Sequence, residues 1–194
     1  MEIISYLKSN IEPLEDEFYG AGYRAAAYLT DGTYLPCVIF RNTNKTVDLA
    51  MKRFKEEQTG CSFFENATNG YYEIAKTFIA KGNRVDERDI ASVEMSKYAF
   101  PLSILRQIKG ETGMGWTGFV AKMKDDRYVG FVTYSHTEFF FMPESYSVED
   151  IVEIINHSYV TKTGELHSFS QLEDYGKVVI HRECPFFVCY MDDL

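Results

Sequence analysis

Late in the chain stands His181-x-x-Cys184-x-x-x-x-Cys189, the one stretch where soft metal ligands crowd together. A structural zinc takes four sulfur or imidazole ligands at tetrahedral corners. Pro185 can turn the chain between the thiols, but no second Cys-x-x-Cys pair exists. A fourth ligand would have to come from distant His167 or Cys61. On a strand, positions 181 and 184 also point to opposite faces. The pattern reads as two core thiols and a surface histidine, with no metal and no cofactor expected. Cys37, set among Pro36, Val38 and Ile39, reads as inert core as well, because apolar burial raises a thiol's pKa.

A second constellation is Tyr134, His136 and Glu138. On a strand, His136 and Glu138 share a face, so the carboxylate can orient the imidazole as a general base requires. No nucleophile is tied to the pair. The enzymatic reading, a small hydrolase or nucleotide-processing enzyme, rests on these residues. Gly110-Glu-Thr-Gly-Met-Gly115 is glycine-rich, yet a phosphate loop feeds a helix N-terminus. Here the expected helix precedes the glycines, a strand follows, and no Lys-Ser/Thr pair is present. A flexible connection is the simpler account. His157 is expected to close a helix, where a cation suits the macrodipole, and His167 lies in a polar loop region.

Charge carries more of the functional reading than any of these motifs. Twenty basic and 29 acidic residues leave −9 at neutral pH. That excess argues against direct nucleic-acid binding, which needs clustered Lys and Arg to track phosphates. The acids gather at Glu12, Glu15, Asp16 and Glu17, and again at Glu149, Asp150 and Glu153, with smaller groups at 86–89 and 192–193. Such patches steer encounter with a basic protein partner. Neighbouring aromatics, among them Phe18, Tyr19, Phe139, Phe140, Phe141 and Tyr146, can serve as interface anchors or as core.

The elements that must position these residues follow from periodicity. Ile3, Leu7, Ile11, Leu14 and Phe18 make a helical stripe interrupted by Pro13 and ended by Gly20 and Gly22. Arg24–Thr30 and Tyr34–Phe40 read as a hairpin closed at Asp31-Gly32. The second strand is apolar on both faces and hence central, although Pro36 argues for an edge. Val47, Ala50, Met51 and Phe54 predict a helix over 44–58 with that stripe buried, capped by Thr43 or Asn44. Residues 59–70 read as a loop and Tyr71–Lys81 as a strand. Ile90–Ser96 alternates as a strand, and Pro101 opens a short helix. Trp116–Lys124 and Tyr128–Ser135 form a hairpin across Asp125-Asp126. Ser147-x-x-Asp150 resembles a capping box ahead of Val148, Ile151, Val152 and Ile155, which predicts a helix over 148–157. Two late strands, 177–182 and 186–191, end the pass.

These elements predict an α+β fold: an antiparallel sheet built from hairpins with three to five packed helices, in one domain over 1–194. The two hairpins, each followed by an expected helix, are compatible with a duplicated hairpin-plus-helix unit. Aromatics at 15%, with 15 Phe and 14 Tyr, favour strands. No secretory leader or membrane-length apolar run is visible, so the glycosylation-type triplets at Asn44 and Asn66 carry no weight and a cytoplasmic location is expected. The expected function is an acidic intracellular binding protein that inhibits or neutralises a macromolecular partner, in the manner of immunity proteins, antitoxins and phage inhibitors. The hydrolase is the alternative, and a small-ligand sensor is a third reading.

Overall fold

The structure, a computed structural model, describes residues 2–58, 82–134, 137–172 and 174–194. The chain divides into two compact units, one drawn from Met1–Glu94 with Phe186–Leu194 and the other from Met95–Pro185. Among the described residues twelve strands form three sheets, against three α-helices.

The first unit is a five-stranded sheet made of β1 (Gly22–Leu29), β2 (Tyr34–Asn42), β3 (Arg84–Val85), β4 (Ile90–Met95) and β12 (Phe187–Met191), in the order β3-β12-β2-β1-β4. β1 and β2 are the expected hairpin. Gly32 sits at its turn with φ of 86°, which a side chain resists, and Asp31 Oδ1 accepts the Thr33 N–H at 2.9 Å. The central place expected for β2 is observed, with β1 antiparallel on one side and β12 parallel on the other. Pro36 is tolerated there because the register shifts beside it. Ala25 faces Val38 and Ala27 faces Leu35, so Pro36 and Cys37 oppose Ala26 alone, and the missing N–H falls in a bulge. One sheet face, with Ala25, Ala27, Val38, Phe40, Cys189 and Met191, packs with Leu7 of α1 (Ile3–Asn10). Helix α1 stops at Asn10. Beyond Pro13 the backbone is not helical, and Leu14 instead exchanges both backbone hydrogen bonds with Gly22.

Helix α2 (Thr43–Gln58) leaves β2 directly. Its cap is Asn42, whose Oδ1 accepts the Asn44 N–H at 2.9 Å and the Lys45 N–H at 3.4 Å, one position before the expected Thr43 or Asn44. The expected buried stripe is not buried. Val47 and Met51 are each 51% exposed, while Thr46 is buried. The side chain of Phe54, the segment 59–81 with its expected loop and strand, Cys61 and Asn66 lie outside the described residues.

The second unit holds a four-stranded sheet, β11-β6-β5-β7, made of β5 (Thr117–Met123), β6 (Tyr128–Thr133), β7 (Ile151–Asn156) and β11 (His181–Arg182). A three-stranded sheet, β10-β8-β9, lies against it, made of β8 (Ser158–Thr161), β9 (Leu166–Ser168) and β10 (Val178–Val179). Phe119, Phe131, Phe140 and Phe100 form its centre, their ring centroids 4.9–5.9 Å apart and several pairs edge-to-face. The short α3 (Leu102–Leu105) closes over this cluster through Leu105 and its neighbour Ile104.

The expected packing of three to five helices on one sheet is corrected by this arrangement. Sheet dominates, α3 is a single turn, and the helix expected over 148–157 is a 3-10 turn at Val148–Asp150 followed by strand β7. The reason lies in a bulge. Lys122 pairs with Glu153 and Met123 with Ile151, so Val152 is the extra residue. The bulge puts Ile151 and Ile154 both inward at a spacing of three, which mimics a helical period in the sequence. β-branched Ile and Val then favour the strand. The hairpin-plus-helix duplication fails with it, since the second hairpin pairs with a third strand. Antiparallel pairing prevails in the two sheets of the second unit, where β11/β6 alone is parallel, while the first unit's sheet joins the antiparallel β1/β2 hairpin to parallel β12/β2 and β12/β3 pairs. No helix among the described residues is long and apolar enough to cross a membrane.

Candidate binding surface

The acidic stretch at 12–17 is folded into a tight loop that returns the chain to β1. Leu14 and Gly22 bond through N–H to O at 2.9 and 2.8 Å, and Asp16 and Gly20 do so at 3.2 and 2.9 Å. Gly20 takes φ of 72°, which lets the loop close in so few residues. Asp16 Oδ1 accepts the N–H groups of Phe18 at 2.7 Å and Tyr19 at 2.9 Å, an Asx turn that shapes the tip. Its other oxygen lies 3.6 Å from Nη2 of Arg41, whose guanidinium is buried on β2 and stacks over the Tyr19 ring at 4.9 Å. Burial, the Tyr190 phenol and the Asp16 carboxylate push the Tyr19 phenol upward from its ordinary pKa. Asp16 therefore faces inward as a scaffold, while Glu12, Glu15 and Glu17 are exposed. Phe18, at the tip, is 60% exposed.

The second acidic group is differently built. Asp150 Oδ2 accepts the Ser147 backbone N–H at 2.9 Å and its hydroxyl at 3.1 Å, which holds the Asp150 carboxyl below the usual range. The capping-box chemistry is thus present on a 3-10 turn. Asp150 also pairs with Lys124 at 3.6 Å. Glu153 stands opposite Lys122 in the sheet, and Lys122 reaches Asp126 at 2.9 Å. Glu149 is exposed, its carboxyl lowered by the Ser147 hydroxyl. Acids here alternate with lysines, so the local field is weaker than the sequence count implies.

Of the candidate general-base group, His136 lies outside the described residues. Tyr134 is exposed at the end of β6 with Arg182 over its ring at 5.5 Å, and Glu138 is half-buried. Of the metal-like residues, His181 and Cys184 belong to the second unit and Cys189 to the first. Cys189 is fully buried, and burial pushes its thiol up to about 12. Burial lowers the His181 imidazole, which packs 5.8 Å from Phe131. Cys37 and Cys184 are buried. Among the described residues no three His, Cys, Asp or Glu side chains gather to hold a metal ion.

The glycine-rich segment is a hairpin tip. Met114 and Gly115 take φ of 49° and 82°, and Gly113 and Trp116 bond backbone to backbone across them. His157 does not close a helix. It turns the chain between β7 and β8 at φ of 54°, with Nδ1 3.1 Å from Thr112 Oγ1. That hydroxyl accepts the Gly118 N–H at 2.9 Å, so the group is a latch between strand and hairpin. Sequence reasoning missed both this latch and the Arg41–Tyr19 support under the acidic loop. The signal for the second was Asp16-x-x-Tyr19-Gly20, an Asx-turn pattern overshadowed by the helical stripe.

No protein-family model matches the chain, and neither a curated protein nor a solved structure is significantly similar to it.

Proposed function

We propose that this protein is an acidic binding protein of the cytoplasm that engages a basic macromolecular partner through the loop at 12–19 and neutralises it. The observation that carries this reading is the build of that loop. An Asx turn, two bridging backbone pairs and the buried Arg41 order a loop that exposes Phe18 together with Glu15 and Glu17. A charged rim around one aromatic anchor suits protein recognition, where the anchor supplies affinity and the charges speed encounter. Prior ordering of the loop lowers the entropy lost on binding. A net charge of −9 adds long-range attraction for a cationic surface. Immunity proteins, antitoxins and phage inhibitors work in this way, by occupying a basic functional face. Direct nucleic-acid contact is not part of the reading, nor is a membrane.

The test begins with capture from the native host and identification of what co-purifies, followed by association kinetics with that purified partner. Association should slow with added salt, since the Debye length shortens to about 8 Å at physiological ionic strength. Replacing Glu12, Glu15 and Glu17 together by Lys should cut the on-rate about tenfold or more. Phe18→Ser should act on the off-rate instead. A folded triple variant whose association and dissociation rates both match the native protein's would refute the assignment of this loop.

A further inference from the structure

Met114 stands at the apex of the hairpin tip, and its side chain is 96% exposed. The other described methionines are placed differently. Met123 is fully buried, Met142 and Met191 are each 7% exposed, and Met51 and Met95 are 51% and 63% exposed. The tip itself is well held. Thr112 N–H donates to Trp116 O at 2.8 Å, Trp116 N–H to Gly113 O at 3.1 Å, and Gly115 N–H to Glu111 Oε1 at 2.6 Å. Behind it the Thr117 hydroxyl donates to Gly110 O at 3.1 Å, and Thr112 carries the latch to His157 and Gly118. This framework keeps Met114 at φ of 49°, a backbone angle that a residue with a Cβ resists. Glycine lies on either side, and a Cβ added at Gly113 or Gly115 would meet nothing within 4 Å. The thioether therefore stands in open solvent. A side chain so exposed adds nothing to the core, so packing does not account for a methionine at this strained position.

We propose that Met114 is a reversible oxidation site of this protein, oxidised by a hydroperoxide and restored by a dithiol-dependent methionine sulfoxide reductase. In the forward step the sulfur lone pair attacks the distal peroxide oxygen. The O–O bond breaks, an S–O bond forms, and hydrogen peroxide leaves as water while the thioether becomes a sulfoxide. In the return step two thiols become a disulfide, and the sulfoxide oxygen leaves as water. Cys37, Cys184 and Cys189 do not compete, because burial keeps peroxide from them. The thiolate is the reactive form, and burial pushes the Cys189 thiol up to about 12. Reversal also favours the apex. A reductase must take the oxidised side chain into its own pocket, and Met114 is offered clear of the fold, whereas Met51 lies along α2 and Met95 ends β4. The inference does not rest on the partner reading above, and its failure would leave that reading untouched.

The experiment treats the whole folded chain with hydrogen peroxide and locates added oxygen by peptide mass spectrometry over time. Met114 should take the first oxygen, at about the rate of free methionine. Met123, Met142 and Met191 react only when the fold opens, a fraction of about 10⁻³ or less, so they should lag by about a hundredfold or more. The singly oxidised chain should keep the native melting temperature, because no buried contact has changed. Methionine sulfoxide reductases of both epimer specificities, supplied with dithiothreitol, should then remove that oxygen from the folded chain. Met114→Leu keeps an apolar side chain at the apex. It should lose the fast oxygen and leave Met51 and Met95 reacting as before. The proposal is overturned if the first oxygen falls on another methionine, or if the fast phase survives in Met114→Leu. A Met114 sulfoxide that resists both reductases in the folded chain overturns it as well.

Discussion

Asp16→Asn isolates the charge beneath the acidic loop. The amide keeps an oxygen for the Phe18 and Tyr19 N–H groups and loses only the ion pair with Arg41. At 3.6 Å, with an effective dielectric of about 20, Coulomb attraction alone is roughly 4–5 kcal/mol. That is an upper limit. The Arg41 side chain is 7% exposed and Asp16 29%, so water screens the acid side of the pair. Removing one partner of a fully buried pair costs about 3–5 kcal/mol, and removing an exposed one costs about 0–1 kcal/mol. This pair is half of each, so about 2 kcal/mol of stability should be lost. Urea unfolding measures the loss through the midpoint at constant slope. The effect should persist in about 1 M salt, because a guanidinium this deep is weakly screened. Amide hydrogen exchange at Phe18 and Tyr19 should quicken as the loop loosens. A midpoint equal to the native one, with exchange unchanged, would show that Arg41 is neutralised by other means and that Asp16 is no scaffold.

Four further substitutions probe the packing. Ile154→Asp should unfold the second unit or cost several kcal/mol, because it buries an unpaired carboxylate beside Ala121 and Met123, whereas Met51→Asp should shift the melting temperature little, since that side chain is half in water. Equal losses from both, read by thermal melts, would overturn the assigned faces. Gly118→Ala would place a Cβ 2.2 Å from Phe169 Cε2 and 2.9 Å from Trp116 Cζ3, so about 1–3 kcal/mol of overpacking is expected. Phe169→Leu should restore part of it in a double-mutant cycle followed by fluorescence of the single tryptophan, and purely additive losses would contradict the contact.

Local chemistry was legible in the residues themselves. Asp31-Gly32 and Asp125-Asp126 mark turns because each tolerates the backbone angles a tight reversal needs, and both hairpins form there. Ser147 and Asp150 exchange the bonds of a capping box because only those two side chains and three bonds of backbone are involved. The continuous apolar run of β2 identifies a central strand for the same reason: a chain segment apolar on both faces must be covered on both. Of the binding surface, the sequence showed the acids but not their roles. Glu12, Glu15, Asp16 and Glu17 look equivalent in a list of residues, yet one is turned inward onto Arg41, 25 positions away, and the others are not.

Tertiary structure decided what pattern alone leaves degenerate. A bulge at Val152 turns a period of two into a period of three, so Ile151 and Ile154 read as a helix until pairing with β5 is known. The stripe of α2 has a helical period and forms a helix, but which face a helix buries depends on its neighbours. Here Thr46 is covered while Val47 and Met51 meet water. That Cys184 belongs to one unit and Cys189 to the other is likewise unreadable from a spacing of five residues. Sequence by itself determined the hairpin turns, the capping box of Ser147 and Asp150, the strand-rich composition and the sign of the net charge, because each depends on composition or on a few adjacent residues. Register, facing and the company of each charged group depend on partners distant in the chain, and only the folded chain supplies them.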